Sequence, residues 1–261
     1  MINGRRLLGV LDCADPPAAA AFMERLNAAS RRRSGGPTPA ILWSDPVPVE
    51  PDASPIAPAP ALLGLHALER AGADAVAIPG AGAHIWYRDL CAAAHVPVMH
   101  IVECAAADLR RARPPGSPIA VLSAGNETTT DLYRARLRQL GFAVMEIPAT
   151  ITDRMADAAQ RIRRGDLAGA DQAVRACITA LGRDGAAAVV VACGDWSCAP
   201  HRPWTEDEPA REPGRPALLV IDPLESLAHT AASWARGGCD AWDLVVDIPE
   251  PTPEPAAGPP G

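Results

Sequence analysis

The chain has 261 residues, 48% of them hydrophobic, and a formal net charge of −7 in which all 24 basic residues are arginine. That length supports one large α/β domain or two small ones with a real core, and the interspersed, net acidic charge argues against nucleic acid as a partner. No apolar run reaches membrane-spanning length, and the seven cysteines form neither a CxxC pair nor a Cys/His set at zinc spacing, which sets aside a membrane protein, a disulfide framework and a structural metal.

In chain order, Leu7 to Leu11 reads as a first strand. The short apolar run before Asp12 is too brief for a signal peptide, so the cytoplasm is the expected compartment. Pro17 to Ser30 has the apolar spacing of an amphipathic helix, and Ala40 to Trp43 is a second short strand. Ser44 to Pro60, crowded with proline and acid, predicts a loop, and Ala61 to Ala71 a helix. Gly72 to Gly80 predicts a third strand running into a small-residue turn, Gly80-Ala81-Gly82-Ala83-His84. Val96 to Ile101 reads as a fourth strand and Pro114 to Pro118 as a junction.

The second half begins with a strand over Ile119 to Ser123 and a helix from Thr130 to Leu140, ended by Gly141. A strand over Phe142 to Pro148 follows, then helices over Asp153 to Arg164 and Ala168 to Gly182. Val189, Val190 and Val191 are β-branched without polar interruption, which suits a strand covered on both faces and delivers Cys193-Gly194-Asp195 to its end. Ala217 to Asp222 is a last strand and Pro223 to Arg236 a last helix. Residues 249–261, mostly proline, glycine and acid, predict a disordered tail.

Strand and helix alternate almost throughout, so a parallel, right-handed α/β architecture is expected. Leu68 to Gly80 is echoed by Leu181 to Gly194: a helix end, a run of small and β-branched residues, then a glycine-bearing turn. Two pseudo-symmetric flavodoxin-like halves with a cleft between them follow from that echo. The expected division is 1–103 plus 224–245, then 104–223, with 246–261 as tail.

Several segments in order resemble the cofactor-independent aspartate/glutamate racemases. Pro79-Gly80-Ala81-Gly82-Ala83-His84 is similar to the family's Pro-Cys-Asn-Thr-Ala-His, and Val96 to Ile101 to its Ile-Pro-Leu-Ile-His-Ile. Ala192-Cys193-Gly194-Asp195 resembles Gly-Cys-Thr-Glu, and Val220-Ile221-Asp222-Pro223 resembles Val-Ile-Asp-Pro. Leu11 to Pro16 stands where relatives carry Gly-Gly-Met-x-Pro and keeps only the proline.

The resemblance implies two thiols on opposite faces of a substrate α-carbon, one taking the proton and the other returning it. Here glycine, Gly80, stands for the first thiol, and Ala81, Gly82 and Gly194 replace side-chain donors. Cys193, Asp195 and His84 are the expected catalytic residues. Gly80, Ala81, Gly82, Ser123, Gly194, Asp45 and Arg163 are the expected substrate contacts. No cofactor or metal is expected; the partner is a small carboxylic or amino-acid substrate, with a homodimer left open. Cys198 could be a second thiol, and His201 and Trp204 could belong to a lid.

Each candidate has a plainer reading. Unpaired Cys is among the most buried residue types, His84 could brace its loop, Arg163 could be a solvated helix face, and loop aspartates such as Asp45 commonly cap turns. Three functions therefore stand: an isomerase acting next to a carboxylate; a one-thiol decarboxylase, since arylmalonate decarboxylases also carry glycine at the first position; and a non-catalytic binding protein.

Overall fold

In the computed structural model, residues 6–32, 36–47, 56–124, 127–197 and 217–239 are described. The predicted tail, Cys198, His201 and Trp204 lie outside them. Leu8–Asp12 (β1), Ala40–Ser44 (β2), Ala75–Ala77 (β3) and Val98–Met99 (β4) form a parallel sheet in the order β2-β1-β3-β4. Pro118–Leu122 (β5), Ala143–Val144 (β6), Ala188–Val191 (β7) and Leu219–Ile221 (β8) repeat it as β6-β5-β7-β8. In each sheet the order reverses between the first and third strands, β1/β3 and β5/β7, where open α/β sheets take their ligands.

The helices are Pro16–Arg32 (α1), Ala59–Arg70 (α2), Tyr87–Ala93 (α3), Ile101–Ala112 (α4), Glu127–Gln139 (α5), Ala149–Arg163 (α6), Leu167–Arg183 (α7), Gly194–Ser197 (α8) and Pro223–Trp234 (α9). Gly141, with φ of 81°, ends α5 as the sequence predicts, in a backbone conformation that glycine adopts without a Cβ penalty.

Burial explains the layering. All five residues of β1 and all four of β7 are buried, as strands covered on both faces must be. One apolar cluster runs through the whole molecule: Leu8 and Val10 of β1, Phe22 and Leu26 of α1, Ile119 and Val121 of β5, Val190 of β7, and Leu224 and Leu227 of α9. The outer face of the first sheet is closed by α2 and α3 through Leu65, Leu68 and Leu90. The outer face of the second is closed by α6 and α7 through Met155, Val174, Ile178 and Leu181. Each fully buried Leu or Val contributes about 1.5–3 kcal/mol relative to exposure.

Polar links also cross between the sheets. Arg136 of α5 holds both oxygens of Glu103 on α4, at 2.5 and 3.0 Å. Arg113 reaches from the end of α4 to the carbonyls of Ala187 and Ala217, at 3.1 and 2.5 Å. Arg25 of α1 pairs with Asp222 at 3.0 Å, with both side chains almost wholly buried. Asp222 also accepts from the Leu224 amide at 2.9 Å and so caps α9, whose first residue is Pro223. The Val-Ile-Asp-Pro segment is thereby a helix-start device.

The structure departs from the sequence reading in several places: the predicted strands at 72–80 and 142–148 are only Ala75–Ala77 and Ala143–Val144, the helix predicted from Asp153 already begins at Ala149, and three further differences lie beside the strand ends. The small-residue segment after Gly80 is a 3-10 helix, Ala81–Trp86, continuing into α3. The fourth strand is only Val98–Met99, because Ile101 already starts α4. Its start is marked by His100, whose Nδ1 accepts from the Val102 amide at 3.1 Å, a role usually filled by Ser, Thr, Asp or Asn. Finally, Gly194 and Asp195 are the opening of α8 and not a loop. Among the described residues no helix is long and apolar enough to cross a membrane.

Candidate active site

The carboxyl end of β1 supplies two aspartates with different jobs. Asp12 is buried, its Oδ1 accepting from the Asp15 amide at 3.0 Å and its Oδ2 from Ser44 Oγ at 2.6 Å. It fixes the turn. Asp15, half-buried, accepts through Oδ1 from the Ala18 amide at 3.0 Å, capping α1 just ahead of Pro16. Between them Cys13 is buried, and burial together with the Asp12 charge pushes its thiol up to about 12. It is no base at neutral pH.

Gly80 lies just beyond β3, and a Cβ built on it would be 3.2 Å from Asp15 Cβ, 3.6 Å from the Asp15 amide nitrogen and 3.7 Å from Ala14 Cβ. Cys193 lies just beyond β7, 6% exposed, packed in the same apolar cluster as Trp196. The next residue, Gly194, approaches the same aspartate: a Cβ there would lie 2.7 Å from Asp15 Oδ2. Asp15 therefore touches both strand-end segments that the sequence echo pairs.

Ala81 and Gly82, both half-buried, open the 3-10 helix, in which the Ala83 amide bonds to the Gly80 carbonyl at 3.1 Å. Ser123, half-buried at the end of β5, accepts from Thr130 Oγ1 at 2.7 Å. Asp45 is exposed just past β2, and Arg163 is the exposed last residue of α6. Asp195 is the second residue of α8.

His84 is 3% exposed, and its Nε2 lies 3.1 Å from the Ile78 carbonyl, which it can only donate to. Its ring centroid is 4.3 Å from that of His100, which in turn meets the Tyr87 ring edge-on at 4.3 Å. Burial, partly offset by the bond to Ile78, pushes His84 down to about 4. Burial, with His84 and Arg136 nearby, also holds His100 well below the usual imidazole value. Both rings are neutral at pH 7, and His84 Nδ1 and His100 Nε2 have no hydrogen-bond partner among the described residues.

The nearest approach to a metal-ligand set among the described residues is elsewhere, where His66, Glu69 and His95 gather beside α2. Hydrogen bonds account for that cluster. Glu69 Oε2 lies 3.2 Å from His66 Nδ1 and 3.3 Å from His95 Nδ1. Burial would raise the Glu69 carboxyl, but the His95 amide and the two rings hold it below its ordinary value.

A family model described as Asp/Glu/Hydantoin racemase matches residues 13–231, a span reaching from Cys13 through both strand-end segments to α9. The chain belongs to the Asp/Glu/Hydantoin racemase family. Solved racemases share its fold. The crystal structure of an aspartate racemase homologue from Pyrococcus horikoshii superposes with a TM-score of 0.67 at 17% identity, covering 88% of this chain and 99% of that one. The Picrophilus torridus aspartate racemase gives 0.65 at 18% identity, covering 88% and 94%. Glutamate racemase from Francisella tularensis, in complex with D-glutamate, gives 0.58 at 14% identity, covering 94% and 85%. No curated protein sequence matches the chain.

The echo in the sequence marks Gly80 and Cys193 as paired strand ends, whereas Asp15 stands in a segment that keeps only the proline of the family's glycine-rich turn. The available signal was Asp-Pro ahead of an amphipathic run, which announces a helix cap at the carboxyl end of a strand.

Proposed function

We propose that this member of the racemase family is a cofactor-independent isomerase, of racemase or epimerase type, acting at the carbon next to a carboxylate of an amino acid or related small acid. Cys193 is its acid/base group. The supporting observation is the position of that thiol: it is the second residue beyond β7, at the carboxyl edge of a sheet and at the switch between β5 and β7. The matching edge of the other sheet ends in Gly80. A planar carbanion held between the two edges is reached by the thiol from one side.

Main-chain N–H groups from residues 80–82 and 194 are suited to a developing negative charge, because small side chains leave the backbone open to ligand. Ser123 Oγ adds a hydroxyl, while Asp45 and Arg163 are outer contacts in this reading. His84 braces the Ile78 to Ala83 turn by its bond to the Ile78 carbonyl. Asp195, two residues after the thiol, is the second acidic candidate by position.

Gly80 favours one further reading, decarboxylation of a malonate, in which loss of carbon dioxide creates the carbanion and one thiol protonates it. Incubation with single enantiomers of amino acids and with phenylmalonate in deuterated water separates the two. Exchange with inversion supports the isomerase, and carbon dioxide release supports the decarboxylase. Unchanged activity in Cys193→Ala would remove the thiol from both.

A further inference from the structure

Two departures from the family pattern meet at one side chain. Gly80 stands for the first thiol and Gly194 follows the second, and Asp15, in the turn after β1, lies against both. A side chain on Gly80 would crowd Asp15 Cβ at 3.2 Å, and one on Gly194 would crowd Asp15 Oδ2 at 2.7 Å. The carboxylate cannot swing away cheaply. Its Oδ1 is held by the Ala18 amide, its own amide by Asp12 Oδ1, both at 3.0 Å, and its carbonyl accepts from Ala19 at 3.1 Å. The two glycines are thus the space that one aspartate needs.

We infer that Asp15 takes the place of the missing thiol, so that the site is an unlike pair, a carboxylate from the end of β1 opposite the Cys193 thiol from the end of β7. The inference rests on the proton-transfer reading of Cys193 given above and completes its second face. Capping α1 does not explain the arrangement. Ser, Thr or Asn would cap equally well, and a cap requires nothing of residues 80 and 194. Other groups at this edge are unsuited: Cys13 stays protonated, and the His84 ring is buried against the Ile78 carbonyl.

The chemistry balances. The Asp15 carboxylate takes the proton from the substrate carbon, and the C–H electron pair is delocalised into the adjoining carbonyl. The Cys193 S–H proton is then delivered to the opposite face, leaving a thiolate and a carboxylic acid. Transfer of that proton from Asp15 to Cys193 through solvent restores the starting pair, and the reverse reaction exchanges the two roles. A carboxylate is a weaker base than a thiolate, with ordinary values of about 3.9 and 8.5. It also repels a second anionic group. The pair therefore suits a carbon acid with a single carboxylate, or its cyclic amide, ahead of a dicarboxylate.

Two measurements test the pair. The first needs no substrate: alkylation of Cys193 by iodoacetamide against pH, read by peptide mass spectrometry, in wild type and Asp15→Asn. Asn keeps the cap, so the expected change is electrostatic, with alkylation at pH 7.5 about three-fold or more faster once the charge is removed. An unmoved profile overturns the pairing, whether or not a substrate is known. The second follows deuterium entry into each enantiomer of 5-benzylhydantoin, 2-phenylpropionate and aspartate. Wild type exchanges with inversion. Cys193→Ala exchanges one enantiomer with retention and Asp15→Asn the other, while inversion falls about 100-fold or more in both. Wild-type inversion in Asp15→Asn overturns the role of Asp15 and leaves the Cys193 reading standing. Wild-type inversion in Cys193→Ala removes the reading on which the pair depends.

Discussion

The Cβ that Gly80 lacks would lie 3.2 Å from Asp15 Cβ. Space at one position is therefore set by the side chain at the other. Gly80→Ala should cost about 1 kcal/mol by overpacking, and the cost should vanish in an Asp15→Gly background, since glycine retains most of the capping ability. Urea denaturation of the two single variants and the double variant gives the coupling. An equal cost in both backgrounds would show that the two positions are independent.

Replacing the thiol should separate activity from folding. Cys193→Ser changes a 6% exposed side chain by one atom and should leave the urea midpoint close to wild type. Turnover of any accepted substrate should drop about 10²- to 10⁴-fold, the range for loss of a general acid/base group. Cys239→Ser, at a half-buried cysteine outside the site, should change neither quantity.

The buried imidazoles should make the fold acid-sensitive. His84 takes up its proton near pH 4 in the folded chain, against about 6.5 when unfolded. Below the unfolded value the denatured chain binds a proton that the native chain does not, so stability falls as pH drops from 6.5 towards 4. The slope is at most about 1.4 kcal/mol per pH unit and the total for His84 about 3 kcal/mol. His100 acts in the same direction. Urea midpoints at pH 7.5 and pH 5 should differ markedly in wild type and less in His84→Gln, whose amide can still donate to the Ile78 carbonyl. An equal pH dependence in the variant would contradict a buried neutral His84.

The clamp between α4 and α5 should matter in one direction only. Arg136→Met leaves the Glu103 carboxylate, 6% exposed as a side chain, without its two charge-assisted bonds and should cost about 3 kcal/mol. Pairing that change with Glu103→Leu should recover much of the loss, because an uncompensated buried charge is worse than an apolar pair. Chemical denaturation of the three variants decides it.

Much of this molecule was legible before folding. The uninterrupted Val189 to Val191 run, Gly141 after a helical period, and the echo between Leu68 to Gly80 and Leu181 to Gly194 gave the strands, a helix end and the twofold repeat, because burial on both faces and positive φ leave marks on composition. Helix α4 left a weaker mark: its cap is a histidine, and its apolar positions directly continue a strand. Asp15 was hidden for a different reason. Its meaning lies in the room it occupies beside Gly80 and Gly194, residues far away in the chain whose only signature is a missing side chain.

The apolar cluster that joins β1, β5, β7 and α9 carries a consequence for how far the two sheets can move apart. Opening the two sheets like a jaw would expose Leu8, Val121 and Val190 to water at about 1.5–3 kcal/mol for each side chain. The placing of the strand ends that carry Gly80 and Cys193 relative to each other is therefore fixed when the interior forms. The geometry of any pair built on those two edges is decided by the core beneath them.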